Sequence, residues 1–150
     1  MTKIKIVVKR MKHAGGLPLP TYMTRGAAGM DLLAAITDQV ILPPGEIRIL
    51  PTGLKVAIPT GYELQVRPRS GLAARRGIGV LNSPGTIDSD YRGEIKVILI
   101  NLGTEQLVIE RGDRIAQLVL CPVFRISWEE SAELPPTERG SGGFGHTGID

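Results

Sequence analysis

Short runs of alternating apolar and polar residues, none longer than eight, recur along the chain between turns rich in Pro and Gly. Alternation with a period of two puts every second side chain on the same face of an extended segment, which specifies half-buried strands rather than helices. The runs are Lys3 to Lys9 (KIKIVVK), Val40 to Leu42, Glu46 to Leu50, Leu54 to Ile58, Tyr62 to Val66, Glu94 to Asn101 (EIKVILIN), Leu107 to Ile109, Arg114 to Cys121 and Val123 to Trp128. About nine short strands at this spacing predict an all-β sandwich or barrel. Pro43-Pro44-Gly45 and Pro59-Thr60-Gly61 read as hairpin bends between consecutive runs. AAGMDLLAA, residues 27–35, is too Gly-broken for a helix and reads as irregular or strand. One short helix is expected, opening at Ser70, whose hydroxyl is placed to cap the first amides of LAARR, and stopping at Gly77.

A length of 150 residues fits one domain with a core of its own. The 19 Gly and 11 Pro supply the turns such a fold needs, and 42% hydrophobic with 22% charged residues excludes wholesale disorder and a coiled coil. A net charge of +3 is too mild to imply a nucleic-acid partner. The lone Cys121 excludes an intrachain disulfide and, in the apolar stretch LVLCP, is expected in the core; a reducing compartment, the cytoplasm, follows. In MTKIKIVVKRMK the longest apolar run is three residues, whereas a signal peptide needs about 7 to 15, so this segment reads as a strand and no membrane association is expected. Composition changes after Trp128, which is expected to pack at a strand end. Residues 1–128 therefore read as the β domain, and residues 129–150, with Pro135-Pro136 and then RGSGGFGHTG, as a flexible arm that gains order only against a ligand or another subunit.

Chemistry-bearing residues gather in a few segments. His13, His146 and Cys121 form no zinc or iron pattern, but a hard cation such as Mg²⁺ needs few protein ligands when phosphates supply oxygens. RPRSGLAARR places four arginines around a Ser-Gly at a helix start, where an anion is favoured, although a solvated basic face explains them as well. NSPGTIDSDYRGE, Asn82 to Glu94, packs Asn, two Asp, Tyr and Arg around a Pro-Gly turn; Asp88 and Asp90 are two apart on extended backbone, so at most one of them faces a pocket. ERGDRIAQL, Glu110 to Leu118, adds a turn and Gln117.

Taken in order, these segments resemble the five motifs of the trimeric dUTP pyrophosphatase (dUTPase) family. AGMDL (Ala28 to Leu32) resembles the first motif, RPRSGLA (Arg67 to Ala73) the second, NSPGTIDSDYRGE the third, RGDRIAQL (Arg111 to Leu118) the fourth and RGSGGFGHTG (Arg139 to Gly148) the fifth. His146 stands where the fifth motif often has Ser.

The resemblance implies a jelly-roll-like β-barrel in a homotrimer, with active sites at subunit interfaces and a C-terminal arm over each. It implies hydrolysis of dUTP to dUMP and pyrophosphate with Mg²⁺, which lowers dUTP, keeps uracil out of DNA and supplies dUMP for dTMP synthesis. Asp88 matches the base that activates water for attack on the α-phosphorus. Arg69, Ser70 and Gly71 match phosphate contacts, Gln117 adds a side-chain contact, and Arg139 reaches the γ-phosphate. Asn82 and the backbone of Thr86, Ile87 and Asp88 would read the uracil edge, Tyr91 would lie under the deoxyribose and exclude a 2′-hydroxyl, Lys96 matches a substrate contact, and Phe144 would stack on uracil. Asp31 matches a carboxylate that meets the metal through water, the ion being held otherwise by the triphosphate. Two alternatives are a dCTP deaminase, which needs a glutamate beside the base, and a silent nucleotide sensor; the aspartate of IDSDYRGE and the complete fifth motif argue against the first, and the intact candidate catalytic positions against the second.

Overall fold

The computed structural model describes residues 3–145. Its strands are β1 (Val7–Arg10), β2 (Gly29–Leu33), β3 (Val40–Leu42), β4 (Ile47–Ala57), β5 (Tyr62–Arg67), β6 (Ile78–Val80), β7 (Gly85–Ile87), β8 (Glu94–Asn101), β9 (Leu107–Ile109) and β10 (Arg114–Pro122), with helix α1 (Ser70–Arg76) and a 3-10 turn at Lys12–Ala14. Two four-stranded sheets, β1-β4-β8-β6 and β2-β10-β5-β7, and the β3-β9 ribbon make up the expected all-β, jelly-roll-like architecture, and every pairing is antiparallel.

The two large sheets bury alternate residues against each other. Leu32, Leu64, Val66 and Leu118 come from one, and Leu50, Leu54, Ile78, Ile95, Val97 and Leu99 from the other, in a single apolar cluster. Each such side chain contributes about 1.5–3 kcal/mol when fully buried. The strict alternation of β8, buried at Ile95, Val97, Leu99 and Asn101, is what period two requires of a strand with one face inside.

Asn101 is the polar exception in this core. Its Nδ2 donates to the carbonyls of Leu42 (2.9 Å) and Glu105 (2.8 Å), and its Oδ1 accepts from the Gly103 amide (2.9 Å), tying β8 to β3 and to the turn before β9. Asn101→Leu keeps the volume but strands three backbone groups, so a loss of about 2–4 kcal/mol is expected in urea unfolding. A loss below ~1 kcal/mol would show that water or backbone movement replaces these bonds.

The structure corrects several expectations. Neither Pro-Gly bend makes a hairpin: β3 pairs with β9, β4 with β1 and β8, and β5 with β10 and β7. Each bend closes its own turn, Glu46 N–H to the Pro43 carbonyl and Tyr62 N–H to the Pro59 carbonyl (3.2 Å each), and also bonds outward, Gly45 N–H to the Asn101 carbonyl (2.7 Å) and the Gly61 carbonyl to Val123 N–H (2.9 Å); each carries the chain from one sheet to another. Glu46 to Leu50 and Leu54 to Ile58 are not two separate strands: both lie mostly within the long β4, whose pairing with β8 is irregular between Pro51 and Lys55. The N-terminal strand is shorter than its alternation, Val7–Arg10 rather than Lys3 to Lys9, because only those residues pair with β4.

Val123 to Trp128 forms no strand, since the pattern finds no ladder to join once β10 ends at Pro122. Trp128 accordingly packs against nothing substantial and is 88% exposed, not the strand-end packing residue expected. Cys121 is half-buried beside the Arg67 guanidinium (3.5 Å) rather than in the core. Ser70 is the first helical residue and not the cap: Arg69 takes that position with extended backbone (φ −88°, ψ 126°), and no side chain bonds the first amides. Gly77 does end α1, in the left-handed region at φ 66°, and a Cβ there would collide with the backbone at Gly103. Among the described residues, no helix is long and apolar enough to cross a membrane.

Candidate active site

Two clusters of polar residues stand out, and they share no residue. The first is an open cleft of about 610 Å³ where the chain crosses from β7 to β8. Thr86, Ile87 and Asp88 enter it from the end of β7, Tyr91 from the turn, Glu94, Lys96 and Ile98 from β8, Ile49 and Lys55 from β4, and Met11 from the N-terminal segment. Ile87 is buried and anchors the segment, while Thr86 and Asp88 on either side are exposed, as alternation dictates. Of the two acids in IDSD only Asp88 lines the cleft. Its carbonyl accepts the Tyr91 amide (3.1 Å), which closes the turn, and among the described residues no donor bonds its carboxylate. Asn82 is exposed on the turn before β7, its side chain facing Gly85.

The second cluster lies across β2, β10 and the start of α1. Asp31 on β2 binds Arg69 (Nε–Oδ1, 2.8 Å) and, at 3.6 Å, Arg114. Arg69 Nη1 also donates to the Arg114 carbonyl (3.2 Å), so the guanidinium is fixed just before the exposed Ser70 and Gly71. Gln117, register partner of both Asp31 and Arg67, donates from Nε2 to the Pro68 carbonyl (2.9 Å). Its amide has room only because Gly29 faces it across β2, where an added Cβ would fall on Oε1.

Strand register measures the separation. Ile87 pairs with Leu64, so Asp88 comes level with Glu63, whereas Gln117 is level with Arg67 on the same strand. Four residues of strand are about 13 Å, and Asp31 lies two strands further across, about 10 Å more. In one chain, therefore, the Asp88–Tyr91 cleft and the Arg69–Gln117 cluster do not meet.

The arm is a third, separate piece. Arg139 donates from Nε to the Gly142 carbonyl (2.8 Å), Gly140 N–H to the Thr137 carbonyl (3.1 Å), and Phe144 is fully exposed. His146, Thr147 and Gly148, which complete the fifth motif, lie outside the described residues.

Sequence reasoning named Asp88, Thr86, Ile87, Tyr91 and Lys96 without showing that one cleft holds them. It missed Met11, Ile49, Lys55, Glu94 and Ile98 in that cleft. Lys55 and Glu94 are cross-strand partners on β4 and β8, a pairing visible only once register is known. The arginine partners of Asp31 were missed for the same reason.

Comparison with known proteins identifies the family. The dUTPase family model matches residues 16–148. A deoxyuridine 5'-triphosphate nucleotidohydrolase of Desulfotalea psychrophila is 59% identical over 147 residues, covering 98% of each chain. Among solved structures, a dUTPase mutant of Staphylococcus bacteriophage 80alpha with bound dUpNHpp superposes with a TM-score of 0.84 at 25% identity, covering 97% of this chain and 99% of that one. A dUTPase of phage phi11 of S. aureus, described with a coordinated structural Mg(II) ion, gives a TM-score of 0.76 at 22% identity over 86% of this chain and 97% of its own. Sequence and fold together place this chain in the dUTPase family.

Proposed function

We propose that the chain hydrolyses dUTP to dUMP and pyrophosphate, as a homotrimer whose active sites are assembled from different subunits. The observation that carries this reading is the separation just described: the cleft offers a base, a ring and backbone groups, the distant cluster offers a guanidinium and an amide, and neither suffices for a nucleoside triphosphate. A second copy that brings its Arg69–Gln117 cluster to the Asp88 cleft, and a third that contributes an arm, would complete the site.

Uracil and deoxyribose then occupy the cleft. Backbone groups of Thr86, Ile87 and Asp88, with Asn82, read the base edge, so that cytosine leaves buried partners unpaired and is rejected. Tyr91 lies beneath the sugar, and Lys96 contacts the substrate. Arg69 and the amides at Ser70 and Gly71 hold phosphate oxygens, Gln117 orients them, and Arg139 with Phe144 closes over the nucleotide. Water attacks the α-phosphorus in line; Asp88 takes its proton as the P–O bond to the pyrophosphate breaks. Charge spreading over the phosphates in the transition state meets groups already in place, which is where most of the rate originates.

The residues present fit a Mg²⁺ ion that arrives with the triphosphate, not one the chain holds unaided. Among the described residues no three His, Cys, Asp or Glu side chains converge, and the Asp31 carboxylate is shared between two arginines. Asp31 would meet such an ion through water while holding Arg69 in position. When bound, Mg²⁺ supplies charge neutralisation and orientation of the phosphate oxygens. We place the reaction in the cytoplasm, on the lone Cys121.

Pyrophosphate release with Mg²⁺ from dUTP, beside dCTP, dTTP and UTP, tests the reading. Release from dUTP alone is expected; binding of dUTP without release would favour a sensor, and ammonia release from dCTP a deaminase. Gly29→Ala is expected to push the Gln117 amide off its place and lower kcat/KM for dUTP about 10-fold, with the melting temperature within a few degrees of wild type. Unchanged kcat/KM in that variant would remove Gln117 from phosphate positioning.

A further inference from the structure

The Tyr91 ring is placed by its contacts with Gly93 and Glu94, and Glu94 is held in turn by groups outside the cleft. Its hydroxyl donates to the Glu94 carbonyl (3.0 Å), which folds the ring back over Gly93. A Cβ on Gly93 would land on the Tyr91 hydroxyl, Cζ and Cε2. Gly93 does not have a positive φ, so a side chain there meets no backbone penalty; what it meets is the ring. The glycine is required by its neighbour and not by the turn.

Glu94, whose carbonyl holds the phenol, is itself held. Its Oε1 accepts from His13 Nε2 (2.7 Å) and from the Gly53 amide (2.8 Å). Nε2 must then carry the proton in that contact. Gly53 sits in the β4 irregularity with φ 66°, and its carbonyl takes the Met11 amide (2.8 Å), so the ladder broken at this point is replaced by bonds to Glu94 and to the N-terminal segment. The 3-10 turn carrying His13 is fastened in turn by Arg111, which donates to the carbonyls of His13 (2.7 Å) and Gly15 (2.8 Å). His13, Gly53 and Arg111 are not among the residues that line the cleft.

We propose that Gly93 and the His13–Glu94 pair are positioning residues for Tyr91, and that through it they set the discrimination between 2′-deoxy and 2′-hydroxy nucleotides. This rests on the reading of Tyr91 as the ring beneath the sugar. A ring held at one height rejects an added hydroxyl by overlap, whereas a ring that can tilt makes room for it. His13 thus belongs to the specificity of a cleft that it does not line.

The test is the ratio of kcat/KM for dUTP to that for UTP, measured in the full chain for wild type, Gly93→Ala, His13→Ala, His13→Gln and Tyr91→Ala. Gly93→Ala is expected to narrow the ratio about 10-fold or more, with a wild-type circular dichroism spectrum. His13→Ala is expected to narrow it about 3–10-fold, and His13→Gln, whose amide can still donate to Glu94, to restore it. A uniform loss for both substrates in folded Gly93→Ala and His13→Ala, with the ratio unchanged, would overturn the proposal, provided Tyr91→Ala does narrow it. An unchanged ratio in Tyr91→Ala would overturn the reading of that ring, and the proposal with it. Should Gly93→Ala fail to fold, the comparison of His13→Ala with His13→Gln decides by the same ratio.

Discussion

Asp88→Asn is expected to lower turnover at least about 100-fold while affinity for nucleotide stays within a few-fold. Asparagine has the shape of aspartate but cannot take a proton from attacking water. The turn that presents residue 88 is closed by a backbone bond, from the Tyr91 amide to the Asp88 carbonyl, and the substitution leaves that bond intact. No donor among the described residues depends on the carboxylate either, so the cleft should keep its form. Single-turnover kinetics beside titration with a non-hydrolysable dUTP analogue separates the two quantities. Near-normal turnover would remove Asp88 from the mechanism, and a parallel collapse of binding would mean the side chain shapes the pocket.

Deleting Arg139 to Asp150 is the second large effect. The described hydrogen bonds of residues 137–142 stay within the arm, and Phe144 touches no core residue, so the body should fold and assemble without it. The reaction should suffer because two contacts leave together. Base stacking is worth roughly 1–3 kcal/mol and a charge-assisted bond roughly 1.5–3, which combine to a loss on the order of 100-fold or more. Melting temperature, solution mass and kcat/KM measured on one preparation decide it. An unfolded or dissociated product would show that the arm holds the assembly, and an unchanged rate that it takes no part in the site.

What could be read from residues alone depended on whether the cause was local. β8 and β9 match the expected Glu94 to Asn101 and Leu107 to Ile109, and α1 the Ser70 to Gly77 expectation, because alternation and a left-handed glycine act within a few residues. The same alternation misled at Val123 to Trp128, since a strand also needs a neighbour with free amides and carbonyls, and sequence does not say where one is. Pro43-Pro44-Gly45 and Pro59-Thr60-Gly61 mark reversals but not partners, which is why both were misread as hairpins.

The site divides in the same way. Asp88, Tyr91, Arg69 and Gln117 stand out as candidates through their types and order. Lys55 opposite Glu94, Gly29 facing Gln117, and His13 reaching Glu94 across 81 positions were not, because each contact is made by the fold and leaves no local trace.

Beyond β10 the chain lays Phe124, Ile126, Trp128 and Leu134 along an exposed, irregular segment, each more than two-thirds open in the single chain. Monomeric soluble proteins seldom keep such a stripe bare. If partner subunits cover it, part of what keeps the chain folded is drawn from mass action, and its resistance to heat becomes a function of how much of it is in the tube.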